Sequence, residues 1–249
     1  MAGPVIDVQA AGLPDEQWDA WRQRCAPLPL SAWPRLVVVA AHPDDEVLGA
    51  GGLIVTARAA GIAVTIVTVT DGEASHPESA THGPARLAEL RIEEARSAAS
   101  ELGADAPIRL GLPDGGVASH EDRLRVRLRA LLGDIGEPGA VCAATWRHDG
   151  HPDHETVGRA AAAACAATNT ELLEYPVWMW QWAAPDHPRL REQDPAVLSL
   201  SPAAHAAKCR ALAHFRSQFL PLSDDPADAP ILPAHVLRRF TGPTETFFR

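Results

Sequence analysis

Between Arg35 and Tyr175 the sequence alternates short runs of β-branched residues with longer stretches rich in alanine and leucine. This alternation is typical of βαβ units, in which crossover helices join parallel strands. The predicted strands are Leu36–Ala41, Ala63–Thr70, Ile108–Leu110, Ala140–Ala144 and Glu171–Tyr175. The predicted helices are Gly49–Ala60, Pro84–Leu102, Glu121–Gly133 and Pro152–Ala167. The pattern therefore predicts an α/β fold, a Rossmann-like three-layer sandwich whose mainly parallel sheet has the strand order 3-2-1-4-5.

The predicted helix Glu121–Gly133 has a competing interpretation. From Arg123 to Arg129 arginines alternate with apolar residues, and this period of two is typical of a half-buried strand. A helix is favoured because parallel strands need a crossover and because an acidic pair, Glu121 and Asp122, opens the segment. In an acidic chain the arginines indicate a solvated helix face rather than a phosphate site.

The length of 249 residues and the apolar fraction of 46% predict one globular domain over residues 1–249. Trp18 and Trp21 indicate a short helix that packs on the outside of the sheet. Prolines punctuate the sequence after Tyr175, where one alanine-rich helix is predicted from about Ala203 to Phe219. The domain is thus expected to have three parts: an N-terminal helical extension (1–34), the Rossmann-like core (35–175) and an irregular C-terminal extension (176–249).

Charge and hydropathy argue against several classes of partner. The chain has 22 Lys and Arg against 32 Asp and Glu, and the resulting net charge of −10 opposes binding to nucleic acid or to anionic lipid. The segment Met1–Ala10 does not resemble a signal peptide, and the longest strongly apolar run, Leu36–Ala41, is too short to span a bilayer. Four widely spaced cysteines predict free thiols. We therefore expect a cytoplasmic protein without nucleic-acid or membrane partners.

Histidine and aspartate are concentrated in two segments, Ala41-His42-Pro43-Asp44-Asp45-Glu46 and His148-Asp149-Gly150-His151-Pro152-Asp153-His154. The first directly follows the first predicted strand, and the second comes soon after the fourth. In a doubly wound sheet with the predicted order these strands are neighbours, and ligands bind at their carboxyl ends. The two segments are therefore expected to meet in one pocket.

Together the two segments supply the groups of a catalytic metal site. His42, Asp45 and His154 form a set of two imidazoles and one carboxylate, which leaves a divalent metal such as Zn²⁺ one open position for water. Asp44 lies beside a ligand and can act as general base on that water. His151 precedes His154 by nearly one helical turn and, if protonated, can stabilise an oxyanion or protonate a leaving amine.

Other interpretations of these segments are weaker. A single His-Pro-Asp segment is usually a turn that caps a helix, but two such segments at strand ends make a purely structural role the less favoured hypothesis. The glycines Gly49, Gly51 and Gly52 do not match a dinucleotide-binding loop and indicate close helix–sheet packing. No serine-hydrolase elbow, P-loop or H-E-x-x-H pattern is present, which disfavours those enzyme classes.

The motifs resemble those of the PIG-L/LmbE-like family of zinc-dependent N-acetylglucosaminyl deacetylases. The resemblance extends from about Leu36 to Tyr175. It is carried by the residues 41–46 and His151-Pro152-Asp153-His154, with further matches at Gly49, Gly51-Gly52-Leu53, Thr70-Asp71-Gly72-Glu73, Arg91, Glu94 and Leu110-Gly111-Leu112-Pro113-Asp114-Gly115. The resemblance implies one zinc ion per chain held by His42, Asp45 and His154, with Asp44 as general base and His151 facing the oxyanion.

The resemblance also implies that Arg91 and Asp114 hold sugar hydroxyls. Arg91 could equally pair with Glu94 along its helix, and Asp114 could serve only its Pro-Asp-Gly-Gly turn. Glu46 and Asp153 are expected to orient their neighbours through hydrogen bonds rather than to bind the metal. His148 and Asp149 receive no role from their spacing.

The predicted function is metal-dependent hydrolysis of the N-acyl amide of an amino sugar, within a small-molecule glycoside that contains N-acetylglucosamine. An amidase acting on a thiol-sugar conjugate and a non-catalytic metal- or sugar-binding protein stay as alternatives. Residues 176–249 and the loop Ser75–Gly83 are expected to lie on the substrate side. Trp178, Trp180 and Trp182 would project to one side of an extended segment and either stack on a sugar or pack as core. The aglycone, the acyl chain, the native metal among Zn²⁺, Fe²⁺ and Co²⁺, and the oligomeric state stay open.

Overall fold

The computed structural model describes residues 6–30, 33–135 and 137–249, so residues 1–5, 31 and 32 of the predicted N-terminal extension lie outside the described part of the chain. The described strands are β1 (Ala26–Pro27), β2 (Arg35–Ala40), β3 (Ala63–Thr68), β4 (Ile108–Arg109), β5 (Val141–Thr145), β6 (Glu171–Tyr175), β7 (Pro195–Ser199) and β8 (Thr244–Phe248). The described helices are α1 (Asp15–Arg22), α2 (Asp45–Ala59), α3 (Pro84–Glu101), α4 (Glu121–Ile135), α5 (Pro152–Thr168), α6 (Met179–Trp182), α7 (Pro188–Arg191), α8 (Pro202–Leu212), α9 (Arg216–Phe219) and α10 (Ala234–Leu237).

The described strands form one sheet in the order β1-β7-β8-β6-β5-β2-β3-β4. The strands of the βαβ region are parallel and lie side by side as β4-β3-β2-β5-β6, whereas β8 runs antiparallel to both β6 and β7. The predicted α/β class is confirmed, and the structure shows one mixed sheet. The prediction of an irregular C-terminal extension is wrong, because β7 and β8 extend the sheet beyond β6.

Helices cover both faces of the sheet because the strand side chains alternate between them. Leu36 and Val38 of β2 pack in one apolar cluster with residues of α2, α3 and α8. Val37 and Val39 pack on the other face with residues of α4 and α5. A strand buried on both faces reads as a continuous apolar run, and β2 has this composition. The helices therefore form one layer on each face of the sheet.

The arginine-rich segment forms the predicted helix, α4. Leu124, Leu128 and Leu132 recur every four residues and are buried, whereas Arg123 and Arg125 are exposed. The spacing of the leucines therefore decided the structure. The arginines lie outside the leucine face, and Arg127 is half-buried and donates to the carbonyl of Leu110.

The predicted helix from Ala203 to Phe219 is wrong in one respect, because it is interrupted between α8 and α9. Phe215 leaves the helical conformation with φ −80° and ψ 53°, and its side chain is completely buried. The next backbone N–H groups turn inward, where Ser217 donates to the buried carboxylate of Glu94 at 2.8 Å. Burial of an aromatic ring and a polar contact thus outweigh helix continuity.

The first helix, α1, matches the predicted short N-terminal helix. Its Trp18 and Trp21 are buried and contact Trp180 edge to face, with ring centroids 4.9 and 6.4 Å away. The four cysteines are free, as predicted. Among the described residues, none of the helices combines the length and the apolar character that crossing a membrane requires.

Candidate metal site

The two histidine-rich segments meet at one edge of the sheet. β2 and β5 are paired in parallel, so the residues that follow them emerge side by side. His42 follows β2 and His154 lies in the first turn of α5. The Nδ1 atom of His42 is 3.1 Å from Nε2 of His154, although the two residues are 112 positions apart. The structure thus brings the predicted ligands together.

The third predicted ligand completes a triangle of donor atoms. Asp45 Oδ2 lies 3.5 Å from His42 Nδ1 and 3.3 Å from His154 Nε2. Ligands at about 2.0–2.2 Å around a tetrahedral ion stand roughly 3.3–3.6 Å from one another. Two imidazole nitrogens that face each other also need a proton or a cation between them. The donor set is therefore one that could bind a divalent metal ion.

Carboxylates hold the outer nitrogens of both imidazoles. His42 Nε2 lies 3.0 Å from Asp114 Oδ1 and 3.3 Å from Asp153 Oδ2, and His154 Nδ1 lies 2.8 Å from Asp149 Oδ2. Burial alone would lower the pKa of His42, but its hydrogen bonds to these and neighbouring carboxylates raise the pKa well above its usual value. An outer N–H that donates to a carboxylate leaves the inner nitrogen free to bind a metal.

Asp44 lies beside this triangle in an unusual backbone conformation. Its φ of 125° is one that residues other than glycine rarely adopt, and such outliers are concentrated at functional sites. Burial raises the pKa of Asp44 to about 7, against the opposing charge of Arg91, whose Nη2 lies 3.3 Å from Asp44 Oδ2. A carboxylate with this pKa can accept a proton near neutral pH.

Glu46 and Asp153 accept backbone N–H groups of the loops around the triangle. Glu46 Oε2 accepts the backbone N–H of Asp44 at 3.1 Å, and burial together with the charge of Asp44 raises the pKa of Glu46 to about 8. Asp153 accepts backbone N–H groups of Gly115 at 2.7 Å and Val117 at 3.1 Å. Asp153 thereby joins the loop after β4 to the start of α5.

His151 faces the triangle as a neutral ring. Its centroid lies 4.9 Å from that of His42 and 4.8 Å from that of His154. Burial, followed by the neighbouring histidines, lowers the pKa of His151 to about 3. Its Nδ1 accepts the backbone N–H of Asp153 at 3.2 Å, so the ring proton resides on Nε2. The protonated form considered from the sequence is therefore disfavoured, and the neutral ring offers an Nε2–H donor.

The side chains of Arg91 and Asp114, which were expected to hold sugar hydroxyls, contact other groups of the protein. Arg91 is buried and donates to the carbonyls of Gly72 and Pro43 as well as to Asp44. Asp114 pairs with His42 and accepts the backbone N–H of Ala74 at 2.9 Å. Both residues also line the cavity described below. The alternative pairing of Arg91 with Glu94 is not what the structure shows.

Asp149 is a site residue that the sequence interpretation missed. Besides its contact with His154, it accepts the backbone N–H groups of Val177, Trp178 and Met179. The signal available in the sequence was an additional aspartate two residues before His151. Its partners come from the chain after β6, and only the fold brings them close.

The prediction that three tryptophans share one side of an extended segment is wrong. Met179–Trp182 is a helical turn, so the three rings point in different directions. Trp180 packs against Trp18, and Trp182 stacks on Trp146 at 6.3 Å with an interplanar angle of 3°. Trp178 lines a cavity above the donor triangle.

This cavity has a volume of about 180 Å³. Its polar side consists of the triangle with Asp44, Arg91, Asp114 and His151, and Ala74 and Ser75 come from the loop after β3. The remaining wall comes mainly from the region after β6: Val177, Trp178, Gln218, Ile231 and Leu232, together with Leu48 of α2. Charged groups and an apolar surface therefore face each other across a small space.

Comparison with known proteins gives consistent matches. Residues 37–165 match the model of the PIG-L family, described as GlcNAc-PI de-N-acetylase. A 1D-myo-inositol 2-acetamido-2-deoxy-alpha-D-glucopyranoside deacetylase of Mycobacterium sp. (strain KMS) is 34% identical over 174 residues, which cover 60% of this chain and 56% of the relative. The chain thus spans about half the length of the curated relatives it matches.

Solved structures with a similar fold include two from thermophiles. The conserved protein TT1542 from Thermus thermophilus is 31% identical, with a TM-score of 0.57, and the match covers 74% of this chain and 80% of that one. An N,N'-diacetylchitobiose deacetylase from Pyrococcus horikoshii has a TM-score of 0.61 at 19% identity, covering 85% of this chain and 82% of the other. The second likeness concerns the fold alone.

Proposed function

Since this chain belongs to the PIG-L family, we propose that it is a metal-dependent hydrolase that removes the N-acetyl group of an amino sugar in a small-molecule glycoside. One observation carries the proposal: the ligand atoms of His42, Asp45 and His154 lie 3.1–3.5 Å apart, with the carboxylate of Asp44 beside them. Two imidazoles and one carboxylate are a typical ligand set for catalytic Zn²⁺, so we assign one zinc ion per chain to these residues.

Asp44 is the proposed general base. The chemistry that zinc supplies at such a site is polarisation of the acyl carbonyl and activation of a water near neutral pH. Asp44 takes a proton from the attacking water while the oxygen of this water bonds to the carbonyl carbon. When the C–N bond breaks, Asp44 returns this proton to the departing nitrogen, and the products are acetate and a free amino sugar. The raised pKa of Asp44, about 7, suits both transfers.

His151 is the proposed donor to the developing oxyanion. Because its Nδ1 is occupied by the N–H of Asp153, its Nε2–H can donate a hydrogen bond without the ring being charged. A donor that is fixed before the reaction stabilises the negative oxygen without reorganisation. His151 lines the cavity together with the ligand histidines, which supports this assignment.

The sugar is proposed to bind between the polar edge and residues of the region 176–249. Each oxygen of Asp114 has one protein partner, so each retains a lone pair that can accept a sugar hydroxyl. Arg91 donates to the carboxylate of Asp44 and is proposed to influence the reaction of the sugar through that contact. The cavity of about 180 Å³ is smaller than typical drug-sized pockets of about 300–1,000 Å³. It therefore suits one acetylated sugar ring, and the aglycone extends outward.

The proposal is tested with zinc-loaded protein and a panel of N-acetylated amino glycosides, including N,N'-diacetylchitobiose and an acetylglucosaminyl inositol, followed by mass spectrometry. Loss of one acetyl group is the expected result. Asp44→Asn should lower kcat by about 10²–10⁴-fold while zinc stays bound. Asp71→Asn is the matched control, because Asp71 lies at the same edge of the sheet and pairs with Arg109 instead. Turnover of Asp44→Asn at the wild-type rate would refute the base assignment, and zinc binding without any deacetylation would favour a binding protein.

A further inference from the structure

We propose that Asp149 is a positioning residue that couples the metal ligand His154 to the Val177–Trp178 wall of the cavity. This inference rests on the metal site of the proposed function. It assigns a role to a carboxylate that takes no part in the mechanism above. Both side chains of the Asp149–His154 pair are completely buried, so their contact is shielded from solvent.

The carboxylate of Asp149 has four donors. Oδ2 faces His154 Nδ1 at 2.8 Å and accepts the N–H of Trp178 at 2.9 Å. Oδ1 accepts the N–H of Val177 at 2.9 Å and that of Met179 at 3.0 Å. A carboxylate offers about four lone-pair directions, so these contacts saturate it. One oxygen, Oδ2, thus contacts the metal ligand and the backbone of the cavity wall directly.

The backbone of Asp149 is fixed as well. Its carbonyl accepts the indole N–H of Trp182 at 2.7 Å, and its own N–H donates to the carbonyl of Trp146 at 3.1 Å. The rings of these two tryptophans are stacked on each other. Asp149 is therefore bonded to the segment 177–182 through both its side chain and its backbone carbonyl. It cannot move together with His154 unless this segment moves as well.

This arrangement has two consequences. The contact with Nδ1 fixes the tautomer and direction of the His154 ring, so that Nε2 points into the donor triangle. The three N–H contacts fix Val177 and Trp178, which line the cavity next to His154. A change at the metal is thereby transmitted to the cavity wall through one side chain, and a change at the wall reaches the metal ligand in return.

The first test uses the wild-type chain and needs no substitution. Hydrogen exchange of the peptide covering residues 176–182 is followed by mass spectrometry, with and without saturating zinc. Coupling predicts slower exchange at the amides of 177–179 when zinc is bound. Exchange that is identical with and without zinc would overturn the coupling, because the bound metal would then leave the wall unaffected.

The second test replaces Asp149 by an isosteric amide. In Asp149→Asn one acceptor becomes a donor that faces other donors, so zinc affinity should fall about 10–100-fold. Exchange at the amides of 177–179 should become about tenfold faster or more. Zinc affinity is measured by competition with a chromophoric chelator. Unchanged affinity in the folded variant would refute the role of Asp149 at His154.

Glu174→Gln is the matched control. Glu174 is also a buried carboxylate near this loop, but its hydrogen bonds go to the backbone and side chain of Arg147. We expect it to keep the zinc affinity and the exchange pattern of the wild type. An equal loss of zinc affinity in both variants would indicate general destabilisation and would overturn the specific role of Asp149. Because neither readout depends on turnover, failure here is distinguishable from failure of the proposed deacetylase activity.

Discussion

The region 35–175 and the region 176–249 contribute different things to one cavity. The first supplies the charged edge, with His42, Asp45 and His154 placed at the ends of parallel strands. The second supplies most of the apolar wall, including Trp178 and Leu232, and joins the sheet through the antiparallel strand β8. The family match, residues 37–165, lies entirely within the first region. The charged edge and the apolar wall of the cavity are thus built by separate parts of the chain.

A buried ion pair of the C-terminal region bonds to helix α2 of the first region. Lys208 of α8 donates to the carbonyl of Leu48 at 2.9 Å and to Glu245 of β8 at 2.8 Å. The carboxylate of Glu245 also accepts the backbone N–H groups of Gly52 and Leu53 in α2. Since α2 begins with Asp45 and Glu46 at the candidate metal site, these contacts anchor the C-terminal region to the helix that starts there.

The largest effect is expected from a ligand in the first region. His154→Ala should weaken zinc binding by more than the about 10–100-fold that partners of a ligand contribute, and turnover should fall with it. His187→Ala, which removes a helix-capping imidazole from the second region, should leave zinc content unchanged. Metal analysis of the two purified variants measures this difference. Full zinc content in His154→Ala would contradict the assignment of the metal ligands to the first region.

The ion pair of Lys208 and Glu245 should affect stability rather than metal binding. Glu245→Ala removes the counter-ion of the buried Lys208 ammonium and the acceptor of two N–H groups, which should cost about 3–5 kcal/mol of unfolding free energy. Zinc should still bind to the folded variant. Adding Lys208→Met to Glu245→Ala removes the unpaired ammonium and should recover part of the loss.

Urea denaturation gives the unfolding free energy of each variant. A Glu245→Ala variant of normal stability that has lost zinc would contradict the separation, because the C-terminal region would then act directly on the chemistry.

Prediction from the sequence succeeded where local periodicity dominates. The β-branched runs of β2 and β3 and the leucines of α4 define their elements without help from distant residues. The two histidine segments could be assigned to one site because parallel neighbouring strands end at the same edge. The carboxylate behind His154 could not be found in this way, since its backbone partners at 177–179 are more than twenty residues further along the chain.

The C-terminal region was harder to predict for a physical reason. Its short helices, such as α6 and α9, are held by burial of Trp180 and Phe215 and by polar contacts such as that of Ser217 with Glu94. A four-residue helix has almost no intrinsic stability, so its sequence carries no periodic signal. The alternating tryptophans matched a strand period by coincidence, and tertiary packing determined the helical turn instead.

An intermediate effect is expected from Arg91, which acts on the pKa of Asp44, the proposed base. Asp44 is protonated below its pKa of about 7 in the metal-free site, and a bound cation lowers this value, so activity should fall as the pH drops through 7 or somewhat below. Arg91 lowers the pKa of Asp44. Arg91→Met should therefore move the acidic limb of kcat/KM upward by about one to three pH units.

Arg96→Met is the control for this shift, because Arg96 lies on the exposed side of the same helix and pairs with Glu93. A profile of kcat/KM between pH 5 and 9 is the measurement. An acidic limb that stays in place in Arg91→Met would show that Arg91 does not act on the base.

The smallest effect is expected at the wall. Trp178 lines the cavity but contributes no side-chain group to the metal triangle, so Trp178→Ala removes apolar contact with the substrate and little else. Such contacts contribute about 1–3 kcal/mol, which corresponds to a rise in KM of roughly 10- to 200-fold at most and less for a partly solvated ring. The kcat value and zinc affinity should stay close to those of the wild type, because the substitution keeps the backbone N–H that Asp149 accepts. Steady-state kinetics on two glycosides that differ only in the aglycone would show whether the loss depends on the substrate. A fall in kcat with KM unchanged would place Trp178 with the chemistry of the first region and would break the division between edge and wall.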